Sequence, residues 1–223
     1  MLKFTLVYKF VILSTKIFGY KYLNHPFKVV WIKQSDIKKM YTAHKSFPST
    51  KHLRHLSSKQ LVKISGVIKS GDWDLHTKNI LNLPTLDVYY DRFVKNLEWE
   101  DTSIATRIEE RIKNAGQARG CKTFEEYKQK HLNRWDELYR DILNQGFKIN
   151  WKEIPPDQIQ VAVNRYGELI FLDGRNRYSI ATILKISYIP VIINVVHQEF
   201  YENLQKRLNT TKITPNDIAN NLK

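Results

Sequence analysis

Cysteine is nearly absent. Cys121 is the only one in 223 residues, so an internal disulfide or a multi-cysteine metal site is excluded. A reducing, cytoplasmic setting fits that usage. Long apolar runs are absent as well. The most apolar stretch, Leu2 to Phe18, is broken by Lys3, Lys9 and Lys16, and its longest uninterrupted part runs only from Phe10 to Leu13. A bilayer-spanning helix needs roughly 20 mostly apolar residues, and a secretory leader needs a clean apolar stretch before a small-x-small site. Neither is expected. No internal repeat or low-complexity tract is visible, which argues against solenoid architectures.

Acidic residues are scarce where basic ones are dense. Residues 1–60 hold eleven lysines and one arginine against Asp36 alone, so +11 of the net +14 lies there and only +3 on the remaining 163 residues. A basic balance points to an anionic partner: nucleic acid, a membrane surface or a nucleotide. On a helical projection Thr5, Lys9 and Lys16 form one narrow polar stripe in an otherwise apolar segment. Residues 1–26 therefore read as a basic, apolar extension that either lies in a membrane interface, peripherally, or packs on the domain.

What the chain does have is enough apolar content, 42%, to bury a core as one domain. The expected fold class is α/β, a small mixed sheet with flanking helices, over residues 27–200. A C-terminal helix or tail is expected over 201–223. Phe27–Ile32 reads as a strand, Ser35-Asp36-Ile37 as the start of a short helix, and residues 44–58 as an exposed loop at a soft boundary. Thr102 or Ser103 can cap a helix that ends at Ala115-Gly116. A second helix opens on the capping box Thr123-x-x-Glu126, carries Phe124, Tyr127, His131, Trp135, Leu138 and Ile142 on one stripe, and stops at Gly146. A lone histidine on such a stripe, His131, reads as a satisfied core residue.

From Ile159 the period becomes two. Ile159, Val161 and Val163 alternate with Gln160, Ala162 and Asn164, Tyr166-Gly167 makes a turn, and Glu168–Leu172 returns, which predicts a hairpin. Asp173-Gly174 follows, and helical spacing begins at Arg175. Tyr188–Val196 then reads as a buried strand. A strand entering a helix through glycine gathers free backbone N–H groups at the positive end of the helix dipole, where anions bind. Arg175 and Arg177 add guanidinium forks suited to phosphate oxygens. Positive charge there otherwise costs around 0.3–1 kcal/mol, so the pattern points to a ligand. The alternative is a structural lock between Asp173 and one of the arginines, and the local pattern leaves both open.

The run Ile159–Ala181, with Leu172-Asp173-Gly174-Arg175-Asn176-Arg177 at its centre and Ile189-Pro190-Val191 after it, resembles the ParB/sulfiredoxin superfamily. That family's signature is a hairpin, an Asp/Asn-Gly-x-His/Arg-Arg box opening a helix, and an Ile-Pro-Val strand, here over residues 159–196. The resemblance implies phosphate or nucleotide binding by Gly174, Arg175, Asn176 and Arg177, with Ser179 one turn on. It implies ATP, ADP or CTP as ligand, with Mg²⁺, and an NTPase or a kinase acting on a small hydroxyl substrate. A nuclease or other nucleic-acid-binding protein using residues 1–60 as its arm, or a non-catalytic module at a membrane surface, are the alternatives.

Two departures narrow the family's chemistry. Sulfiredoxin-like enzymes place a nucleophilic cysteine where Arg175 stands. Chromosome-partitioning members place a glutamate there and add a helix-turn-helix module, for which the 21 residues after Glu202 are expected to leave no room. Asn176 replaces a common histidine, and a carboxamide cannot exchange protons near neutral pH. Catalytic roles would then fall to Asp173, to Glu100 and Asp101 with Glu98 beside Trp99, and to His197 after the last strand. Asp72 and Asp74 around Trp73 are further carboxylates for Mg²⁺. The segments Gly66–Asp74 and Arg92–Thr102 faintly resemble stretches that precede the box in such proteins, so they are expected to fold beside Gly174.

Overall fold

The computed structural model describes residues 21–42, 64–149 and 158–223. The expectations for residues 1–20 and 44–58 lie outside them. The chain divides into two compact units: a sheet unit built from the segments before Leu81, from Ile149 to Gly174 and from Ser187 onward, and a helical unit of Asn82–Lys148 with Arg175–Ile186.

The sheet unit has a mixed α/β fold with a central sheet and flanking helices. Its strands are β1 (Lys21–Tyr22), β2 (Val29–Lys33), β3 (Ile37–Tyr41), β4 (Val67–Lys69), β5 (Thr77–Asn79), β6 (Ile159–Val163), β7 (Leu169–Asp173) and β8 (Tyr188–His197). They run in the order β1-β4-β8-β6-β7-β3-β5, with β2 also paired to β8. The central strands β6 and β8 are buried on both faces, apart from Tyr188, as their near-continuous Val/Ile content requires. The edge strands β1 and β5 are short and partly exposed, which limits edge pairing. After β8 come two helices. One, Gln198–Leu208, packs on β8 and β4, and the other, Pro215–Ala219, packs on β2 under a complete capping box from Thr214 and Asp217.

Pairing sets which loops share an end of this sheet. The hairpin β6–β7 is antiparallel, while β6 and β4 both run parallel to β8. The turn Asn164–Gly167 thus lies at the same end as the C-termini of β4 and β8. Gly174 lies at the other end, a strand length of about 17 Å away. The turn is an Asx turn, in which Asn164 Oδ1 accepts from the N–H groups of Tyr166 and Glu168 at 2.9 and 2.8 Å. Between β4 and β5 the chain crosses one sheet face, where Trp73 is fully buried with Val67, Ala162, Ile170 and Val195.

The helical unit contains α1 (Thr85–Phe93), α2 (Ser103–Ala115), α3 (Phe124–Tyr127), α4 (Asn133–Gln145) and α5 (Arg175–Ile183). A π-helical turn, Lys128–Leu132, joins α3 to α4. Its core is aromatic. Tyr89 stacks on Trp135 at 5.6 Å, Phe93 stacks on Tyr139 at 3.9 Å, and Trp99 meets both Phe93 and Trp135 edge-on. Ile180 of α5 packs with Tyr89 and Ile142, so the apolar face of α5 is accounted for by helix packing.

Three local expectations change. Ser35-Asp36 belongs to a single 3₁₀ turn, Gln34–Asp36, from which the chain passes straight into β3. Thr102 does not cap α2 with its side chain, because its hydroxyl donates to the Trp99 carbonyl at 2.9 Å. The Thr123 box is half formed. The Thr123 hydroxyl accepts from Glu126 N–H, but the Glu126 carboxylate accepts from Lys122 N–H. Both helices end at the glycines expected, Gly116 and Gly146.

Candidate functional site

β7 ends at Asp173, Gly174 takes φ 91°, and α5 begins at Arg175. The glycine has a steric reason. A Cβ there would sit 2.7 Å from Ile159 Cα, on the neighbouring strand. Beyond it Arg175 is exposed while Asn176 and Arg177 are half-buried, so the two guanidiniums have different surroundings.

Arg177 acts on the Tyr89 hydroxyl. Burial pushes that phenol well above its ordinary range, Asp136 adds to the effect and Arg177 opposes it. Tyr89 is fully buried, and its hydroxyl has no hydrogen-bond partner among the described residues. Asp136 is itself held by Arg92 Nε at 3.2 Å and Trp99 Nε1 at 3.0 Å. The buried Oδ1 of Asn176 also lacks a partner among the described residues. Ser179, by contrast, is fully buried with its hydroxyl 2.8 Å from that of Thr85 inside the helical unit.

Glu100 bonds Lys128 at 2.6 Å, which holds its carboxyl below the usual range, and Asp101 is exposed on the same 3₁₀ turn, Trp99–Asp101. Glu98 pairs with Arg92 at 3.2 Å. Asp72, Asp74 and His197 lie at the far end of the sheet unit from Gly174, at the hairpin turn. The parallel pairing of β4, β6 and β8 brings their C-terminal loops together there, which corrects the expectation that they fold beside the glycine.

What gathers at that far end is a closed network around Arg165. Its backbone N–H and Nε donate to Asp74 Oδ2 at 3.0 and 2.9 Å, and Nη2 reaches Asp74 Oδ1 and Asp72 Oδ1, both at 2.8 Å. Burial works to raise the Asp74 pKa, but the bonds from Arg165 more than offset it, so the carboxyl is held below its ordinary value. The same bonds hold Arg165 protonated beyond its usual range. His197, 1% exposed, accepts from Glu199 N–H at Nδ1, which leaves the Nε2 proton to donate to the Gly71 carbonyl at 2.9 Å. With both ring nitrogens engaged, His197 pins the Gly71–Leu75 crossover and is not placed to exchange protons with a ligand at Gly174.

Among the described residues no group of three or more His, Cys, Asp or Glu side chains could hold a metal ion. No helix among them is long and apolar enough to cross a membrane. Comparison with family models, curated proteins and solved structures finds no match to this chain.

Sequence reasoning missed Arg165, whose role depends on the diagonal crossover.

Proposed function

We propose that the chain is a nucleotide-binding protein of ParB/sulfiredoxin type whose Gly174-Arg175-Asn176-Arg177 turn takes a phosphate group. The observation that supports this most is the pair of arginines in the first turn of α5, entered through Gly174 at φ 91°. The nucleotide is ATP, ADP or CTP. Mg²⁺ would arrive on its phosphates and need only one or two carboxylates, of which Asp173 is nearest in the chain. Phosphoryl transfer to water or to a small hydroxyl substrate is the reaction class this arrangement suits.

Thermal unfolding with ATP, ADP and CTP, each with and without Mg²⁺, tests the reading. A ligand at 100 times its Kd adds about 2.7 kcal/mol. Arg177→Lys keeps the charge but loses the planar fork, and is expected to lower nucleotide affinity by about 1.5–3 kcal/mol. A folded Arg177→Lys protein that binds every nucleotide like the wild type would overturn it.

A further inference from the structure

Among the described residues, β1, β2 and β5 each pair on one side only. β1 has two residues and β5 three, lengths at which an edge offers little to another strand. β2 has five, Val29–Lys33, and runs in unbroken register against Tyr188–Ile192. At its centre stands Trp31, 50% exposed. Edge strands are ordinarily guarded there by lysine, proline or a bulge, and a tryptophan does the reverse. Lys33 guards only the end.

The direction of each peptide group on β2 follows from its pairing. Gln34 N–H donates to the Ser187 carbonyl at 2.9 Å, one step beyond the Lys33–Tyr188 pair. Peptide groups alternate along an antiparallel strand, so those of Val30, Ile32 and Gln34 face β8, and those of Val29, Trp31 and Lys33 face outward. Pro190 agrees with this, since it stands opposite Trp31 and has no N–H to give. Among the described residues, no group bonds the outward N–H of Val29, Trp31 or Lys33, or the carbonyls of Val29 and Trp31. The helix Pro215–Ala219 packs on β2 without bonding this edge.

We propose that β2 pairs edge to edge with β2 of a second copy of this chain, antiparallel about a two-fold axis at Trp31, so that the two sheets continue into one. An isologous contact needs a patch that fits itself, and this edge does. In that register Trp31 exchanges both backbone bonds with its own copy, and each Lys33 N–H meets the Val29 carbonyl of the other chain. The charges agree. Lys33 lies opposite the apolar Val29 and not opposite a second lysine, which would repel it. The two Trp31 side chains come opposite each other and cover each other's exposed surface. A slip of two residues either way carries Val29 or Lys33 beyond the end of the other strand, so the two-fold register is the longest one. A single five-residue strand pair is a small contact, and the dimer is expected to be weak, with a Kd of roughly 1–100 µM.

The test is sedimentation equilibrium of the full chain from about 1 to about 300 µM, a range that brackets such a Kd. The average mass is expected to rise from one chain toward two and no further. Trp31→Pro removes an outward N–H and no bond to β8, at an edge position where strands tolerate proline. Trp31→Lys sets two lysines opposite each other. Each variant is expected to weaken the dimer about tenfold or more, with an unfolding temperature near that of the wild type, and Trp31→Lys decides alone if Trp31→Pro does not fold. Amide exchange gives a second readout. Val30 and Ile32 are expected to be protected at every concentration, and Trp31 and Lys33 only where the dimer forms. A wild type that stays monomeric, a mass that grows beyond two chains, or folded variants that dimerise like the wild type each overturn the proposal. Protection of Trp31 and Lys33 that does not change with concentration overturns it too, because another segment of the same chain then covers the edge.

Discussion

Arg165 and Arg175 lie ten residues apart in the chain and in opposite chemical situations. Arg165 is ringed by Asp74, Asp72 and the Gly71 carbonyl, all within 3.2 Å, and its partner Asp74 is itself buried. Arg175 is exposed at the start of α5 and has no ion-pair partner among the described residues. A closed network fixes a loop and asks nothing of the solvent. An exposed guanidinium is hydrated and stays available to an anion. The two can be told apart by what happens to stability, and to binding, when each is cut.

The largest effect belongs to the closed network. Asp74→Ala leaves the Arg165 guanidinium short of its main acceptor in a mostly buried site, and breaking a buried pair from one side costs about 3–5 kcal/mol. Urea unfolding measures it, and nucleotide affinity should not change in the folded fraction. The same network has a pH signature. Because the Asp74 pKa is lowered on folding, its contribution is fully present above the ordinary carboxylate value of about 3.9 and is lost as pH falls through the lowered value. Asp74→Asn should therefore flatten the acid limb of the stability curve. An unchanged slope below about pH 4 would mean that other carboxylates dominate acid unfolding.

Gly174→Ala comes next. It combines φ 91° with a Cβ 2.7 Å from Ile159 Cα, a backbone neighbour that cannot turn aside. The expected loss is about 1–3 kcal/mol, read from the unfolding midpoint. A neutral outcome would mean that β6 yields at Ile159 and that the glycine is kept for close approach of a ligand instead.

How much of this was legible follows the range of the interactions. The hairpin, the helix stops at Gly116 and Gly146 and the strand from Tyr188 show in the sequence because they rest on contacts a few residues apart. The placement of Asp72, Asp74 and His197 does not, because it depends on β4 and β6 both running parallel to β8, pairings such as Val67 with Val195 and Ile159 with Val191 that no local pattern announces. His131 reads as an ordinary stripe residue because the π turn Lys128–Leu132 is not visible in the apolar spacing. Ser179 fits the phosphate motif by position, but Thr85, whose hydroxyl it meets, is 94 residues away.

Tyr89→Phe sharpens the comparison from inside the helical unit. Deleting a buried hydroxyl that has no partner removes a desolvation cost, so the variant is expected to gain about 1 kcal/mol in stability. A stability loss would show that the hydroxyl has a partner in solution and is part of the core.

The smallest stability effect is expected at Arg119, where the two kinds of arginine separate most cleanly. Glycine accepts φ 50° without the clash that a Cβ makes, which favours the folded state. It also loosens the unfolded chain, which opposes that gain, so the two should nearly cancel and leave Arg119→Gly within about 1 kcal/mol of the wild type. The backbone carbonyl of Arg119 remains available to His131 and to Cys121 Sγ, so the Ala118–Cys121 turn keeps its internal contacts. Only the guanidinium is lost. Were Arg119→Gly instead to destabilise by 2 kcal/mol or more, beyond the usual range for an exposed substitution, Arg119 would join Arg165 as a structural arginine and the contrast between the two regions would fail.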